Sequence, residues 1–325
     1  VFDFQQNWYP VLLTKKLKAN KTVKIYLFDK AFVLYRDKDG MATCLEDHCP
    51  HRGAPLSLGR VRHGELTCAY HNWCFAKKGV CSKIPSLDGG TLPIPKAANA
   101  TALPCVEKYN VIWIWAGDKE QCHDEIEFDR KEKNSLVYSW DVQAPFDLYL
   151  ENILDISHVP FVHKNTLNRL FRFNAMEFQL GEKTESGFNV TVDHKKHGKI
   201  KFTNIKFVYP NLIHYEFLKH KKKMVALFFI VPYQKNMTRV FHYVYSDFDT
   251  LTFKISSTPI AKFFMEFILT KVNEEDSRVL VGQDNNRQKN ISLMNQLTKN
   301  DLVAMEYRKW LSTTNYEGLW QDSFD

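Results

Sequence analysis

Four residues of the segment CPHRGAPLSLGRVRHGELTCAYHNW are suited to electron chemistry: Cys49 and His51, then, after sixteen intervening residues, Cys68 and His71. Two thiolates can ligate one iron of a 2Fe-2S cluster and two imidazoles the other. Neutral imidazole in place of thiolate removes negative charge and raises the reduction potential. Such a centre takes up one electron and passes it on. A Cys2His2 zinc site uses the same ligand types, but zinc spacing usually gathers both cysteines in one half of the motif and both histidines in the other. The alternating order favours the cluster.

A second group lies in ENILDISHVPFVH, residues 151–163, which contains Asn152, Asp155, His158 and His163. On a continuous helix Asp155 and His158 share a face. His163 falls about 140° around from His158, and Pro160 is expected to break the helical bonding between them, letting both imidazoles reach one metal. A non-haem Fe(II) that activates O2 takes two histidines, one carboxylate and open positions. In KVNEEDSRVLVGQ, residues 271–283, a helical reading puts Val272, Asp276, Val279, Leu280 and Gln283 on one face and Glu274 and Arg278 off it. A carboxylate in an apolar stripe is costly when unpaired, and coordinating iron offsets that cost. Asp276 is the expected third ligand, with Asp284 the alternative.

The CPHRG and YHNW contexts resemble the cluster loops of Rieske proteins. They are closer to the oxygenase components of Rieske non-haem iron oxygenases than to the respiratory type, whose additional loop cysteines are replaced here by Ala54 and Tyr70. The second segment is similar to the iron motif of those oxygenases: Asn152, Asp155 and His158 at three-residue spacing, then His163, with Glu275-Asp276 in the place of the third ligand. Within the family the chain resembles the vanillate O-demethylase and dicamba monooxygenase type more than the longer naphthalene dioxygenase type. The resemblance implies a helix-grip catalytic domain, a Rieske 2Fe-2S cluster, a mononuclear Fe(II) and O2 as co-substrate. It also implies a homotrimer in which the cluster of one chain serves the iron of the next. In that scheme Asp155 is not a ligand. Its carboxylate accepts hydrogen bonds from His158 and from His71 of a neighbouring subunit, and Asn152 lines the iron site.

These side chains need two scaffolds. Residues 8–117 read as short strands separated by turns, over 23–27, 31–35, 41–45 and 111–115, an all-β arrangement. Gly53, Gly59, Gly64 and Gly79 give backbone freedom around the cluster loops. The polar run GDKEQCHDE from residue 117 marks the boundary, giving a cluster domain over 1–120 and a catalytic iron domain over 121–325. The second domain opens with helical residues 147–159. Strands over 175–180, 188–192, 201–208, 212–217, 224–231 and 238–246 follow, then helices over 260–290 and 301–312. Strands followed by helices imply an antiparallel sheet covered on one face, so the fold class is α+β. Phe161, Phe171, Phe173, Phe229 and Tyr243 are candidates to line an apolar cavity, although each suits the core as well.

With 325 residues and 44% hydrophobic content the chain suits two folded domains. No apolar run approaches the ~18 residues of a membrane span. The N-terminus lacks both a signal-like apolar region and a Met, which leaves room for a trimmed leader or anchor. Beyond the two cluster cysteines, Cys44, Cys74, Cys81, Cys105 and Cys122 form an odd, irregular set. A disulfide framework is not expected, and a reducing compartment, the cytoplasm, is. The net charge of +7 is concentrated in residues 15–24, 194–199 and 219–223. Such runs suit solvated hairpin tips or docking of an acidic ferredoxin. No base-reading motif accompanies them, so nucleic acid is not an expected partner.

The expected function is that of a terminal oxygenase, inserting one atom of O2 into a hydrophobic, ring-containing small molecule by hydroxylation or oxidative demethylation. Cis-dihydroxylation and desaturation use the same iron. No GxG dinucleotide fingerprint occurs in the chain, so electrons are expected from NAD(P)H through a separate reductase, with or without a ferredoxin. A Rieske electron carrier is the rival from another class, and it has no use for His158, His163 or Asp276.

Overall fold

The computed structural model describes residues 3–87, 92–123, 126, 128, 135–171, 176–194, 201–219, 222–246, 258–289, 297–298 and 301–320. The chain forms two compact units, one over Asp3–Glu127 and the other from Phe128 to Asp325.

The first unit is all β, with three small sheets. The strand Val111–Trp115 is buried along its whole length and pairs with both Trp8–Leu13 and Cys105–Lys108. The alternating segments near residues 23–46 form Val23–Leu27, Lys30–Arg36 and Ala42–Glu46, antiparallel with Ile25 opposite Phe32 and Leu34 opposite Cys44. The third sheet, Arg60–Arg62, Glu65–Thr67, Cys74–Phe75 and Cys81–Lys83, escaped the sequence reading. Strands of two or three residues carry no recognisable alternation. This sheet positions the Cys-His loops: the first leads into Arg60–Arg62, and the second joins Glu65–Thr67 to Cys74–Phe75. Beneath them Val33, Tyr35, Leu45, Leu56, Leu66 and Phe75 form a buried cluster that includes Cys49 and Cys68. The Tyr35 hydroxyl donates to the Ala76 carbonyl at 3.0 Å, joining two of the sheets.

The second unit contains a seven-stranded antiparallel sheet. Its strands, in spatial order, are Ser135–Val142, Met237–Ser246, Lys222–Gln234, Leu212–Lys219, Lys201–Val208, Gly187–His194 and Met176–Thr184. Six match expected segments. Ser135–Val142 is additional; it follows directly on a polar run and pairs with the last strand in sequence, Trp140 opposite Val240. Register places Phe217 beside Met224, Tyr215 beside Ala226, and Phe228 beside His242, so these residues share the face that meets the helices. On that face Phe207 packs against Tyr307 and Trp310 of the helix Leu302–Leu311. Helices pack on this face of the sheet, and the fold class is α+β.

Two helical expectations are corrected. The segment expected as one helix over 147–159 is broken at Asp155: Phe146–Leu154 ends there, a 3-10 turn covers Ile156–His158, and Val159–Val162 forms a separate turn. Pro160 is not the breaker. It lies in the first turn of Val159–Val162, where a missing N–H leaves no helical bond unmade. Asp155 breaks the helix by leaving helical φ/ψ and accepting from the Ser157 amide at 2.9 Å, as an N-cap does. In the long helix Pro259–Gln288, Val279 and Gln283 are exposed. Among the described side chains the buried positions are Asp276, Leu280 and Asp284, a narrow stripe of strict four-residue spacing.

Residues 195–199 of the second basic run and 220–221 of the third lie outside the described residues. Among the described residues no helix is long and apolar enough to cross a membrane, and no two cysteines are joined.

Candidate functional site

The two Cys-His loops share one backbone plan. In the first, the Cys49 amide donates to Ala54 O and the Gly53 amide to Cys49 O; in the second, Cys68 donates to Trp73 O and Asn72 to Cys68 O. The fourth residue after each cysteine, Gly53 or Asn72, has positive φ, +69° and +55°. That conformation favours glycine and is tolerated by Asn. Each turn buries its cysteine and leaves its histidine exposed. The His51 and His71 ring centroids lie 4.5 Å apart, and Trp73 stacks on His51 at 4.6 Å. Two buried sulfurs with two adjacent imidazoles form a donor set that fits a 2Fe-2S cluster of mixed ligation. The roles of Asn72 and Trp73 were not read from the sequence, although the equal offset of Asn72 and Gly53 from the two cysteines was a usable signal.

In the second unit His158, His163 and Asp276 converge, with one ligand atom from each lying within 4.8 Å of the others. Asp276 Oδ1 is 3.2 Å from His163 Nε2 and 3.5 Å from His158 Nε2. Burial opposes the charge on Asp276, but the two imidazoles outweigh it and hold its pKa below the usual value. Burial likewise opposes a charged His163, and its contacts with Asp276 and Glu275 reverse the effect and raise its pKa. Attraction is strong, yet among the described residues Asp276 Oδ1 is buried without a directional hydrogen bond. Three lone-pair donors facing one point in this way suit a cation better than a shared proton. Two histidines and one carboxylate are the facial set used by non-haem Fe(II), with positions left open.

The local chain explains the convergence. The break at Asp155 swings His158 inward, and its Nδ1 bonds the Asp155 main-chain carbonyl. The expected contact between His158 and the Asp155 carboxylate is therefore corrected: Oδ1 of that carboxylate holds Ser157 instead. His163 caps the following turn. Its Nδ1 donates to Glu275 Oε2 at 2.8 Å, and Thr166 Oγ1 donates to the same oxygen at 2.6 Å. Neighbours on a helix do not face each other, but the imidazole lies across the long helix and meets Glu275 with one nitrogen and Asp276 with the other. Each histidine thus has its Nδ1 hydrogen bonded and its Nε2 directed toward Asp276. The orienting role of Glu275 was missed in the sequence; a ligand histidine generally needs such an acceptor, and the acid beside Asp276 was the available candidate.

Asp284 lies two turns further on and is occupied by Arg287 and Gln288 at 2.9 and 2.7 Å. Asn152 does not line the cavity beside the triad, and its Nδ2 is buried without a partner among the described residues. That cavity, of about 230 Å³, is walled by aromatic and aliphatic side chains, among them Trp140, Tyr215, Phe217, Met224 and Phe228, with His158, His163 and Asp276 at its edge. The cavity candidates named from sequence are corrected. Phe161 is 77% exposed. Phe229 and Tyr243 fall on the opposite face of the sheet, packed on Phe128, because strand side chains alternate. The side chain of Phe171 and all of Phe173 lie outside the described residues.

A profile of the Rieske 2Fe-2S domain matches residues 7–107, and one of the vanillate O-demethylase oxygenase C-terminal domain matches residues 142–314, more than half the chain. The chain belongs to the Rieske non-haem iron oxygenases. The family's cofactors are a Rieske 2Fe-2S cluster and a mononuclear non-haem iron, and both donor sets described above fit them. Chlorophyllide a oxygenase of Chlamydomonas reinhardtii is 29% identical over 318 residues, covering 95% of this chain and 48% of that protein. Protein TIC 55 of Arabidopsis thaliana is 33% identical over 204 residues, covering 61% and 38%. Both are chloroplast proteins, and the chain spans about half the length of the curated relatives it matches. The fold is that of dicamba monooxygenase bound to 3,6-dichlorosalicylic acid, with a TM-score of 0.80, 19% identity and coverage of 95% and 96%. Pseudomonas putida CBB5 NdmA gives a TM-score of 0.72 at 22% identity, covering 95% and 89%.

Exchanging Glu275 for Gln keeps the size of the Nδ1 acceptor but removes its charge, and exchanging it for Ala removes the acceptor. Fe(II) affinity, measured anaerobically on protein with an intact cluster, is expected to fall about 10- to 100-fold in Glu275→Ala. The loss in Glu275→Gln should be smaller.

Proposed function

We propose that this chain is the terminal oxygenase of a multicomponent system, inserting one oxygen atom into a hydrophobic, ring-containing small molecule by hydroxylation or oxidative demethylation. The observation that carries this reading is the convergence of His158, His163 and Asp276 at the edge of an apolar cavity, in a chain that also carries paired Cys-His loops. Cys49 and Cys68 would hold one iron of the cluster, and His51 and His71 the other. His158, His163 and Asp276 would hold the mononuclear iron. When bound, the cluster supplies stored electrons and the iron activates O2.

The chain's own residues prepare this chemistry. Hydrogen bonding at both Nδ1 atoms leaves the Nε2 lone pairs of His158 and His163 available to a metal, and the low pKa of Asp276 keeps it anionic. The aromatic wall desolvates an apolar substrate and excludes competing water. Tyr215 donates to the Ile153 carbonyl, pinning the end of Phe146–Leu154 to the sheet just before the break that aims His158. Electrons would come from NAD(P)H through a separate reductase, with or without a ferredoxin. The chain would act as a homotrimer, with Asp155 accepting from His71 of a neighbouring subunit. Its thiols suit a reducing compartment such as the cytoplasm or, as for the curated relatives, the chloroplast. The names of the chlorophyllide relatives point to a tetrapyrrole, but a cavity of about 230 Å³ suits a smaller molecule.

The test is incubation with a reductase, NADH and labelled O2 over a panel of ring compounds. One labelled atom in a hydroxylated product, or a demethylated ring compound formed with one equivalent of formaldehyde, supports the reading. Two labelled atoms would mean cis-dihydroxylation, and an unlabelled alkene desaturation. Iron and sulfide analysis is expected to give about three irons and two sulfides per chain; only about two irons would mark an electron carrier.

A further inference from the structure

Among the polar side chains of the cavity wall that the site described so far does not use, His242 is the one with both of its polar atoms unspent. His242 lies on the strand Met237–Ser246, is 7% exposed and lines the cavity. Neither Nδ1 nor Nε2 has a hydrogen-bond partner among the described residues. Its ring is nonetheless fixed, stacked on Phe228 at 4.2 Å and 8° with the Trp140 ring edge-on at 5.7 Å. Stacking occupies a face of the imidazole and leaves the in-plane nitrogens unspent. A buried polar group without a partner is costly, and a cavity is where a ligand can satisfy it. Burial holds the imidazole neutral, with its pKa lowered to about 3, so it offers one donor and one acceptor.

The rest of the lining narrows what can bind. Among the described residues it contains no Lys or Arg, and its one carboxylate is Asp276; an anionic ligand would meet no cationic side chain there, and the charge of a bound iron would already be offset in part by Asp276. Asn273 Oδ1 and Trp140 Nε1, also on the wall, are likewise buried without a partner among the described residues. As to size, a cavity of ~150 Å³ accommodates benzene, so about 230 Å³ admits one ring with substituents or two fused rings.

Resting on the proposed oxygenase reading, we propose that the substrate is an uncharged compound of one or two rings bearing a single hydroxyl or carbonyl group, and that His242 anchors that group by hydrogen bonding. His242 is thereby a specificity-determining residue, and the apolar wall orients the ring relative to it.

The experiment measures equilibrium binding of four probes to the holoprotein by calorimetry, without reductant or reductase: indane, 1-indanone, indane-1-carboxylate and protoporphyrin IX. 1-Indanone is expected to bind about ten-fold tighter than indane, with the carboxylate and the porphyrin weaker than either. In His242→Phe, which keeps a flat ring for Phe228, the preference for 1-indanone over indane should vanish while indane binding stays within about two-fold. His242→Asn, which restores a donor and an acceptor, should recover part of it, and thermal melts establish that both variants are folded. An unchanged preference in folded His242→Phe, tighter binding of the carboxylate or the porphyrin, or binding of none of the probes would each overturn the assignment. Binding needs no turnover, so these outcomes are independent of the labelled-O2 test of the oxygenase reading.

Discussion

Asp276→Ala is expected to empty the mononuclear site while leaving the Rieske chromophore intact, so that iron falls from about three to about two per chain and turnover is lost. Among the described residues Asp276 is the only carboxylate facing both Nε2 atoms, and its Oδ1 has no other partner there. Without it two neutral imidazoles remain, and a divalent cation in a largely apolar wall then lacks any compensating negative charge. Glu275 cannot substitute, because its Oε2 is already shared by His163 Nδ1 and Thr166 Oγ1. The matched control is Asp284→Ala, at the alternative ligand position. Asp284 is held by Arg287 and Gln288, so its loss should leave iron content unchanged. Iron retained in Asp276→Ala but lost in Asp284→Ala would reverse the assignment.

The residues of the candidate site were legible because ligand chemistry restricts residue type and spacing, and these survive in the sequence whatever the backbone does between them. Cys49, His51, Cys68 and His71 could be read that way. The three-residue spacing of Asp155 and His158 was noticed too, but for the wrong reason: it reflects a helix break stabilised by Ser157, not a shared helical face. A break and a continuous helix look alike when the breaking residue is an Asp whose side chain can cap either way. Six of the seven strands of the large sheet were legible from alternation; Ser135–Val142 was not, and neither were the short strands carrying the cluster loops, since two residues define no period. The cavity was the least legible part. Phe228 and Phe229 are adjacent and equally apolar, and only the register of Lys222–Gln234 against Met237–Ser246 puts the first in the cavity and the second behind the sheet. That register is fixed by long-range pairing that sequence pattern does not encode.

Asp155→Asn is expected to keep both metals and the fold while slowing electron transfer from cluster to iron by about 10- to 100-fold, the usual cost of losing a hydrogen bond around a metal site. The geometry makes this exchange unusually clean. His158 is oriented by the main-chain carbonyl of residue 155, which no substitution removes. The Ser157 amide needs only an oxygen acceptor, which Asn provides. What Asn lacks is the negative charge that would favour the carboxylate as acceptor for an imidazole N–H of a neighbouring chain. Asp155→Ala also removes the cap, so it should show the same electron-transfer defect plus a stability loss of about 1 kcal/mol. The decisive measurement is single-turnover reoxidation of the reduced cluster, followed by its visible absorbance after mixing with O2 and substrate. Reoxidation at the wild-type rate in Asp155→Asn, with iron content unchanged, would remove Asp155 from the electron route. A slow phase that persists in Asp155→Asn but leaves chemical reduction of the cluster unaffected would locate the defect between the two centres.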